Sequence, residues 1–437
     1  MGVILVNASR SSATHYWSAP IELSGCVGLS QPLISFPSSS PQRRSGPGAL
    51  LWGVGPTCGR GALAEMAELR GDSPGPPQTI LKLKSVAAAT GTASGQIVVG
   101  GAGSGGSLML AEGSPSKSLH VVDGGDGYPK LMAAYSAPLG DAAITTVQRS
   151  GTHALIALRI QRHYQYSLSR PTLIPAGSGP VTAVSVNLDF RSDALITWVS
   201  AGLVYAVVVR QGGKVEPTQR LGEVHGNAHL QSLISDDGHA IATWESTETT
   251  GPSMSVSTIH LSISDQTAHF GVAHTVARFL DPGAITPTLG CVRLTRLSTE
   301  NVLMAWCGVS RGKYVVWASP VSLAGGAFDP QIISSTQGDA LLSDLTPGPH
   351  GDVLALWITA PRVHSGEFDF QHVQIIASRG TPDPRGGMAF APGENLSLPG
   401  PNEPPTAGFD PDTDKPIVAW VRREGAPQLF YALGGAE

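Results

Sequence analysis

Six times along this 437-residue chain a turn is followed by a short run of small and apolar residues that ends in tryptophan. The runs are GALLW at Trp52, DALITW at Trp198, HAIATW at Trp244, NVLMAW at Trp306, DVLALW at Trp357 and PIVAW at Trp420. From Trp198 onward the steps are 46, 62, 51 and 63 residues. The 146 residues between Trp52 and Trp198 hold two weaker copies, GQIVVG near Gly100 and DAAITT near Thr146, which makes eight units. A repeat of this length is a supersecondary unit that buries its faces by stacking on its neighbours.

Each unit reads as four short strands, A to D. In the clearest copy they are PVTAVSVNLD from Pro180, ALITWVS from Ala194, LVYAVVVR from Leu203 and EPTQRL from Glu216, separated by turn residues such as Gly212-Gly213. The B strands are apolar on both faces: Val302 and Met304 share the side of Trp306, while Leu303 and Ala305 take the other. A sheet wetted on one side would alternate apolar with polar residues, so these sheets are expected to be sandwiched. Four-stranded units stacked face to face around an axis predict an all-β chain, a β-propeller of eight blades, with seven as the alternative because the second and third units are faint. The expected blades are 31–84, 85–123, 128–175, 179–222, 226–277, 281–335, 338–398 and 402–434, in one domain over 15–437 after a tail at 1–14. The last unit has PPTAGFD, PIVAWV and QLFYALG but no fourth strand. The stretch from His15 to Ser24 is the spare strand expected to complete it and close the ring, which removes an open edge.

The blade pattern resembles that of bacterial, especially actinobacterial-type, extracytoplasmic propeller proteins. GGAFDPQIIS from Gly325, GGMAFAPGENLS from Gly386 and YWSAPIELS from Tyr16 carry the likeness. It implies the fold and a location outside the cytoplasm. Sialidases have a related blade with an Asp box, S-x-D-x-G-x-x-W, between strands C and D. Here Ser235-Asp236-Asp237-Gly238 precedes Trp244 with the wrong glycine spacing and between A and B, so the sialidase-like pattern lacks its boxes.

Composition excludes other classes. With 53 Gly, 34 Pro and 14% charged residues, a helical bundle or coiled coil is ruled out. A net charge of −5 argues against a nucleic-acid partner. No run of 18 apolar residues exists to cross a membrane as a helix. The opening MGVILVNASR has no basic n-region, so no secretory leader is expected there.

Several local motifs invite chemistry and read more simply as structure. Gly101 to Gly106 satisfies G-x-G-x-x-G, but SLMLAEGSPS after it is too short for the helix a dinucleotide needs, so a B–C turn is expected. Asp410-Pro411-Asp412-Thr413-Asp414 lacks the glycine and closing glutamate of a calcium loop and reads as an A–B turn. His225 and His229 sit four apart in a Gly-Asn loop, with no helix to aim both rings at a metal. Tyr205, Tyr314 and Tyr431 recur on C strands and read as packing; Trp317 is the exception that lies off the B-strand register. No catalytic residue, metal or cofactor is assigned.

Cys291 on strand A and Cys307 on strand B should face each other across a hairpin turning near Ser298 to Asn301. Cys26, in a D–A connection, and Cys58, in the first B–C loop, emerge on the same face. Two disulfides and an oxidising compartment are expected, with buried free thiols as the alternative. Two functions fit: a monomeric, non-catalytic binding scaffold for a protein or glycan ligand, or a glycan-acting hydrolase of sialidase-like type with residues drawn from several blades. The first would use D–A and B–C loops such as Glu245 to Ser253 and Thr359 to Glu367.

Overall fold

The computed structural model describes residues 16–435, apart from 26, 28–30, 37–46, 55–62, 71–72, 81, 124, 138, 227, 252–253, 282–289, 299, 325–328, 336, 364–367 and 384–386. The described residues form eight antiparallel sheets, over 33–79, 83–123, 127–175, 181–223, 228–281, 292–332, 340–395 and 406–433 joined by 21–24. In blades one and seven the outer strand is split in two, Ser73–Pro74 with Gln78–Thr79 and Met388–Phe390 with Glu394–Asn395. The innermost strand of each blade packs on that of the next, and that of blade eight, Thr406–Phe409, packs on that of blade one, Leu33–Ser35. The circle is therefore closed.

Two-sided burial of the B strands holds the blades together. Gly48–Trp52 and Ala194–Ser200 are buried at every position. Trp52, Trp198, Trp244, Trp306, Trp357 and Trp420 are each at most 4% exposed. An aromatic side chain buries roughly 150–250 Å², worth about 4–6 kcal/mol of transfer free energy before entropy is charged. Two indoles also tie blades together. Trp198 Nε1 donates to Ala176 O, and Trp244 Nε1 to Glu223 O, both at 3.1 Å and both to the end of the preceding blade.

The strand C residue facing each tryptophan is often another ring. Tyr205 stacks on Trp198 at 5.5 Å, His260 on Trp244 at 5.3 Å and Phe430 on Trp420 at 6.1 Å. Trp317 is the partner of Trp306 in the same ladder, so its odd register follows from its place on strand C. Burial, and electrostatic repulsion from nearby His225, push the His260 imidazole below its ordinary range.

The seam joins the two ends of the described chain. Ile21 pairs with Tyr431 and Glu22 with Phe430, and Trp17 bridges Gly434. Ser18 N–H donates to Leu433 O at 2.8 Å, and Gly435 N–H to Tyr16 O at 2.7 Å.

Cys291 and Cys307 are disulfide-linked, with Cα atoms 5.1 Å apart, one register step beyond the facing pair Val292 and Trp306. Cys26 and Cys58 lie outside the described residues. One loop expectation is corrected: Glu245 to Gly251 extends strand B as part of Ala240–Gly251, because its Thr-rich sequence pairs with Met254–Ile263 to lengthen the hairpin.

Candidate functional site

The A strands surround an axial channel. Segments such as Ala87–Ala89, Val184–Asn187 and Leu230–Leu233 enclose about 480 Å³. Small side chains dominate, and the polar ones are largely engaged: Ser232 Oγ donates to Ser185 Oγ at 3.2 Å, and Asn187 Oδ1 accepts from Ile234 N–H at 3.0 Å.

In a four-stranded meander the A–B and C–D connections emerge at one end and the B–C and D–A connections at the other. At the A–B end the channel widens into a cavity of about 550 Å³, sharing Tyr135, Arg296 and Pro347 with the channel lining. Phe36, Tyr135 and Phe409 give it aromatic walls, and Ser136, Ser298 and Thr346 add hydroxyls. Prolines and glycines of blades seven and eight, with Ile34, Leu297 and Ala407, form most of the rest. The B–C and D–A loops expected to form the ligand rim therefore do not bound this cavity; strand ends and tight A–B turns do.

Among the described lining residues, Asp236 is the sole carboxylate and Arg296 the sole cation. Arg296 Nη1 donates to Asp236 Oδ1 at 2.9 Å, and Nη2 donates to Ile234 O. The same Asp236 oxygen accepts from Phe190 N–H at 2.8 Å. The cavity thus carries one charge pair, already neutralised and fixed by three blades.

Behind the rim lies Asp189, only 2% exposed. Burial raises its carboxyl to about 6; the negative charges of Asp193 and Asp236 add to the rise, and amide donors from Asp193 and Arg191 oppose it. Its Oδ1 accepts Asp193 N–H at 2.8 Å, which is the bond that shapes a tight turn. It does not line the cavity.

A recurrent device holds this end rigid. The aspartate just before strand B bonds the arginine on or after strand C of the same blade: Asp141 with Arg162 at 2.7 Å, Asp193 with Arg210 at 3.0 Å and Asp352 with Arg379 at 2.9 Å. Burial pushes Asp141 up, but hydrogen bonds from Ser192, His163 and Arg162 outweigh it and hold the carboxyl below its ordinary value.

The other end has its own fixed pair. Arg362 donates through Nε and Nη2 to the two oxygens of Asp339, both at 2.7 Å, and lies 5.5 Å from the ring centres of Tyr314 and Phe368. The pair thereby ties the B–C loop of blade seven to the start of its strand A, and Asp339 also accepts Tyr314 N–H of blade six at 2.8 Å.

The motifs singled out in the sequence fall elsewhere. Gly101 ends up in a strand and Ser104–Gly106 is a 3₁₀ turn between strands B and C; a Cβ on Gly101 would lie 1.8 Å from Ser85 O. Asp410 to Asp414 is an A–B turn in which Asp410 Oδ1 accepts Asp412 N–H at 2.9 Å. His225 N–H donates to Ser246 Oγ at 2.8 Å, while His229 belongs to strand A of blade five. Tyr205, Tyr314 and Tyr431 are on C strands of blades four, six and eight. Among the described residues no cluster of three or more metal-ligating side chains occurs.

Closed ring, axial channel and widened mouth together define an eight-bladed β-propeller. No protein-family model matches the chain, and no curated protein matches it. Among solved structures, polysaccharide lyase Uly1 aligns with 97% of this chain and 100% of its own, at 8% identity and a TM-score of 0.45. The β-propeller domain of the trilobed protease from Pyrococcus furiosus aligns with 77% of this chain and 89% of its own, at 8% identity and 0.42. The six-bladed lectin of Aleuria aurantia covers 71% of this chain and 96% of its own, at 10% identity and 0.35. These likenesses concern the fold alone.

Proposed function

We propose that the protein is a non-catalytic binding scaffold, a monomer working outside the cytoplasm, that takes a glycan or protein ligand at the A–B mouth of its channel. The observation that carries this reading is the single Asp236–Arg296 pair at the cavity. A hydrolase acting on glycosides needs two carboxyl groups set across the bond to be broken. Here one carboxylate faces the cavity, and it is already bonded to a guanidinium and an amide. Aromatic walls with a few fixed polar groups suit recognition. The extracytoplasmic part of the reading draws on the Cys291–Cys307 pair and on the blade resemblance.

A second reading, a glycan-acting hydrolase of sialidase-like type, has one observation in its favour. Asp189, with its carboxyl raised to about 6, is a group of the kind used as a general acid. Its burial behind the rim and its bond within its own turn weigh against that role. A glycan array combined with a panel of chromogenic glycosides tests both. Retention of a ligand without turnover is expected. Turnover that disappears in Asp189→Asn would replace the scaffold with the enzyme.

A further inference from the structure

Charge is divided unevenly around the ring. Blades three and four, residues 127–223, carry nine Lys and Arg against five Asp and Glu, although the whole chain has 28 against 33. Between Asp141 and Asp189 there are four arginines and no acidic residue. At the A–B and C–D end of this sector three of the four acids are sunk, and the half-buried fourth, Glu216, pairs with Lys214 at 3.1 Å and with Arg210 at 3.4 Å. Asp141, Asp189 and Asp193 are buried. Arg170 and Arg191 are exposed and stand outward.

Aromatic rings share that surface. Tyr164 is 66% exposed, Tyr166 75% and Phe190 49%. The two tyrosines ride on the connection between His153–Gln161 and Thr172–Pro175, strands C and D of blade three. Both ends of this connection are fixed. Asp141 accepts from Arg162 Nη1, from His163 N–H and from the His163 ring, at 2.7 to 2.8 Å. At the far end Leu168 N–H donates to the buried Glu112 Oε2 at 2.7 Å, and Ser169 Oγ accepts from Ile160 N–H at 2.9 Å. The turn that carries Phe190 is tied to the same anchor, since Ser192 Oγ also donates to Asp141. Arg162 Nη2 reaches Gln211 O in blade four at 3.3 Å. The rings and cations are therefore presented on a surface already ordered, which lowers the entropy cost of binding.

We propose that this face binds an acidic polysaccharide, a chain of sugar rings bearing carboxylates. Exposed tyrosine and phenylalanine rings offer flat faces for the C–H side of a sugar, and arginines match carboxylate geometry with paired N–H donors. A peptide hot spot would instead call for a packed, desolvated pocket. Here Tyr164 and Tyr166 stand apart, separated by exposed Gln165 and flanked by exposed Ser167. The surface runs into the channel mouth through Phe190, whose N–H bonds Asp236. The proposal rests on the binding-scaffold reading and names its ligand class.

Affinity electrophoresis of the full chain tests it, in gels containing polygalacturonate, alginate or hyaluronate, with dextran and poly-L-glutamate as the contrasting polymers. At least one polyuronate should retard the protein, and raising NaCl from about 20 to about 200 mM should weaken retention severalfold. Tyr164→Ala with Tyr166→Ala, and separately Arg170→Gln with Arg191→Gln, should each weaken it about tenfold. Thermal unfolding should be unchanged, because these side chains are exposed. Equal retention by poly-L-glutamate would replace the ligand with an acidic protein. Retention by dextran alone would leave the scaffold standing and overturn the acidic ligand. No retention by any polyuronate, or retention indifferent to both variant pairs, also overturns it. Turnover of a chromogenic glycoside without retention of any polymer would instead remove the scaffold reading beneath it.

Discussion

Arg296 Nη1 lies 2.9 Å from Asp236 Oδ1, so the end of strand A in blade six grips the first turn of blade five. The same oxygen takes Phe190 N–H from blade four at 2.8 Å. Asp236→Ala would leave a half-buried guanidinium and an amide without their acceptor. The expected loss is about 2–3 kcal/mol, seen as a lower urea midpoint. Asp236→Asn, which keeps an acceptor for Phe190, should lose about 1 kcal/mol. Equal midpoints for the three proteins would mean that the contact ties nothing.

Asp189 sets a pH dependence of unusual sign for a carboxylate. Folded, it keeps its proton up to about pH 6; the ordinary value is 3.8. Between the two the folded state binds more protons than the unfolded one, so this group's contribution to stability falls as pH rises and is level above about 6. At neutral pH the penalty reaches about 3 kcal/mol. Asp189→Asn should therefore unfold later than the parent at pH 7 and together with it near pH 4. Asp141, whose carboxyl is held low, contributes stability that is present above 3.8 and lost as pH falls through its folded value. Asp141→Asn should accordingly be less stable at pH 7, so differential scans of the two variants move in opposite directions.

Peptide mapping under non-reducing conditions should recover Cys291 and Cys307 in one linked fragment. The loop they close spans a sequence separation of 16. Cross-links of this length stabilise by about 3 kcal/mol, so Cys291→Ala with Cys307→Ala should lower the urea midpoint accordingly. The same map reads the state of Cys26 and Cys58. Recovery of Cys291 and Cys307 as separate alkylated thiols would refute the bridge.

The outer edge of Gln428–Leu433 is covered by Ile21–Ser24. Removing residues 1–24 should leave that edge open and shift the protein toward dimers and larger species in size-exclusion chromatography, since a bare strand edge pairs with another chain. A monomer with unaltered thermal unfolding would show that the seam adds nothing.

The ring and its seam were legible because two-sided apolar strands ending in tryptophan leave few alternatives, and YWSAPIELS matched a missing fourth strand. Trp317 was legible only as an exception, since pairing it with Trp306 requires the B–C register, which the loop between them fixes. The mouth was not legible. Asp236 and Arg296 are 60 residues apart and meet only because the blades are neighbours in a circle. A signal for the rigid end did exist: an aspartate before strand B followed by an arginine near the end of strand C, as in Asp193 and Arg210. The tyrosines of blade three carry no motif, and their exposure follows from the anchors at Asp141 and Glu112.

The pairing of Ile21 with Tyr431 has a temporal meaning. During synthesis the segment that will cover blade eight is made before the other described strands and its partner after them. Seven sheets can form while the ribosome is still working, yet the early strand waits almost the whole time for its mate. Contacts this distant along the chain are slow to form, so the step that closes the molecule follows the making of the other seven sheets.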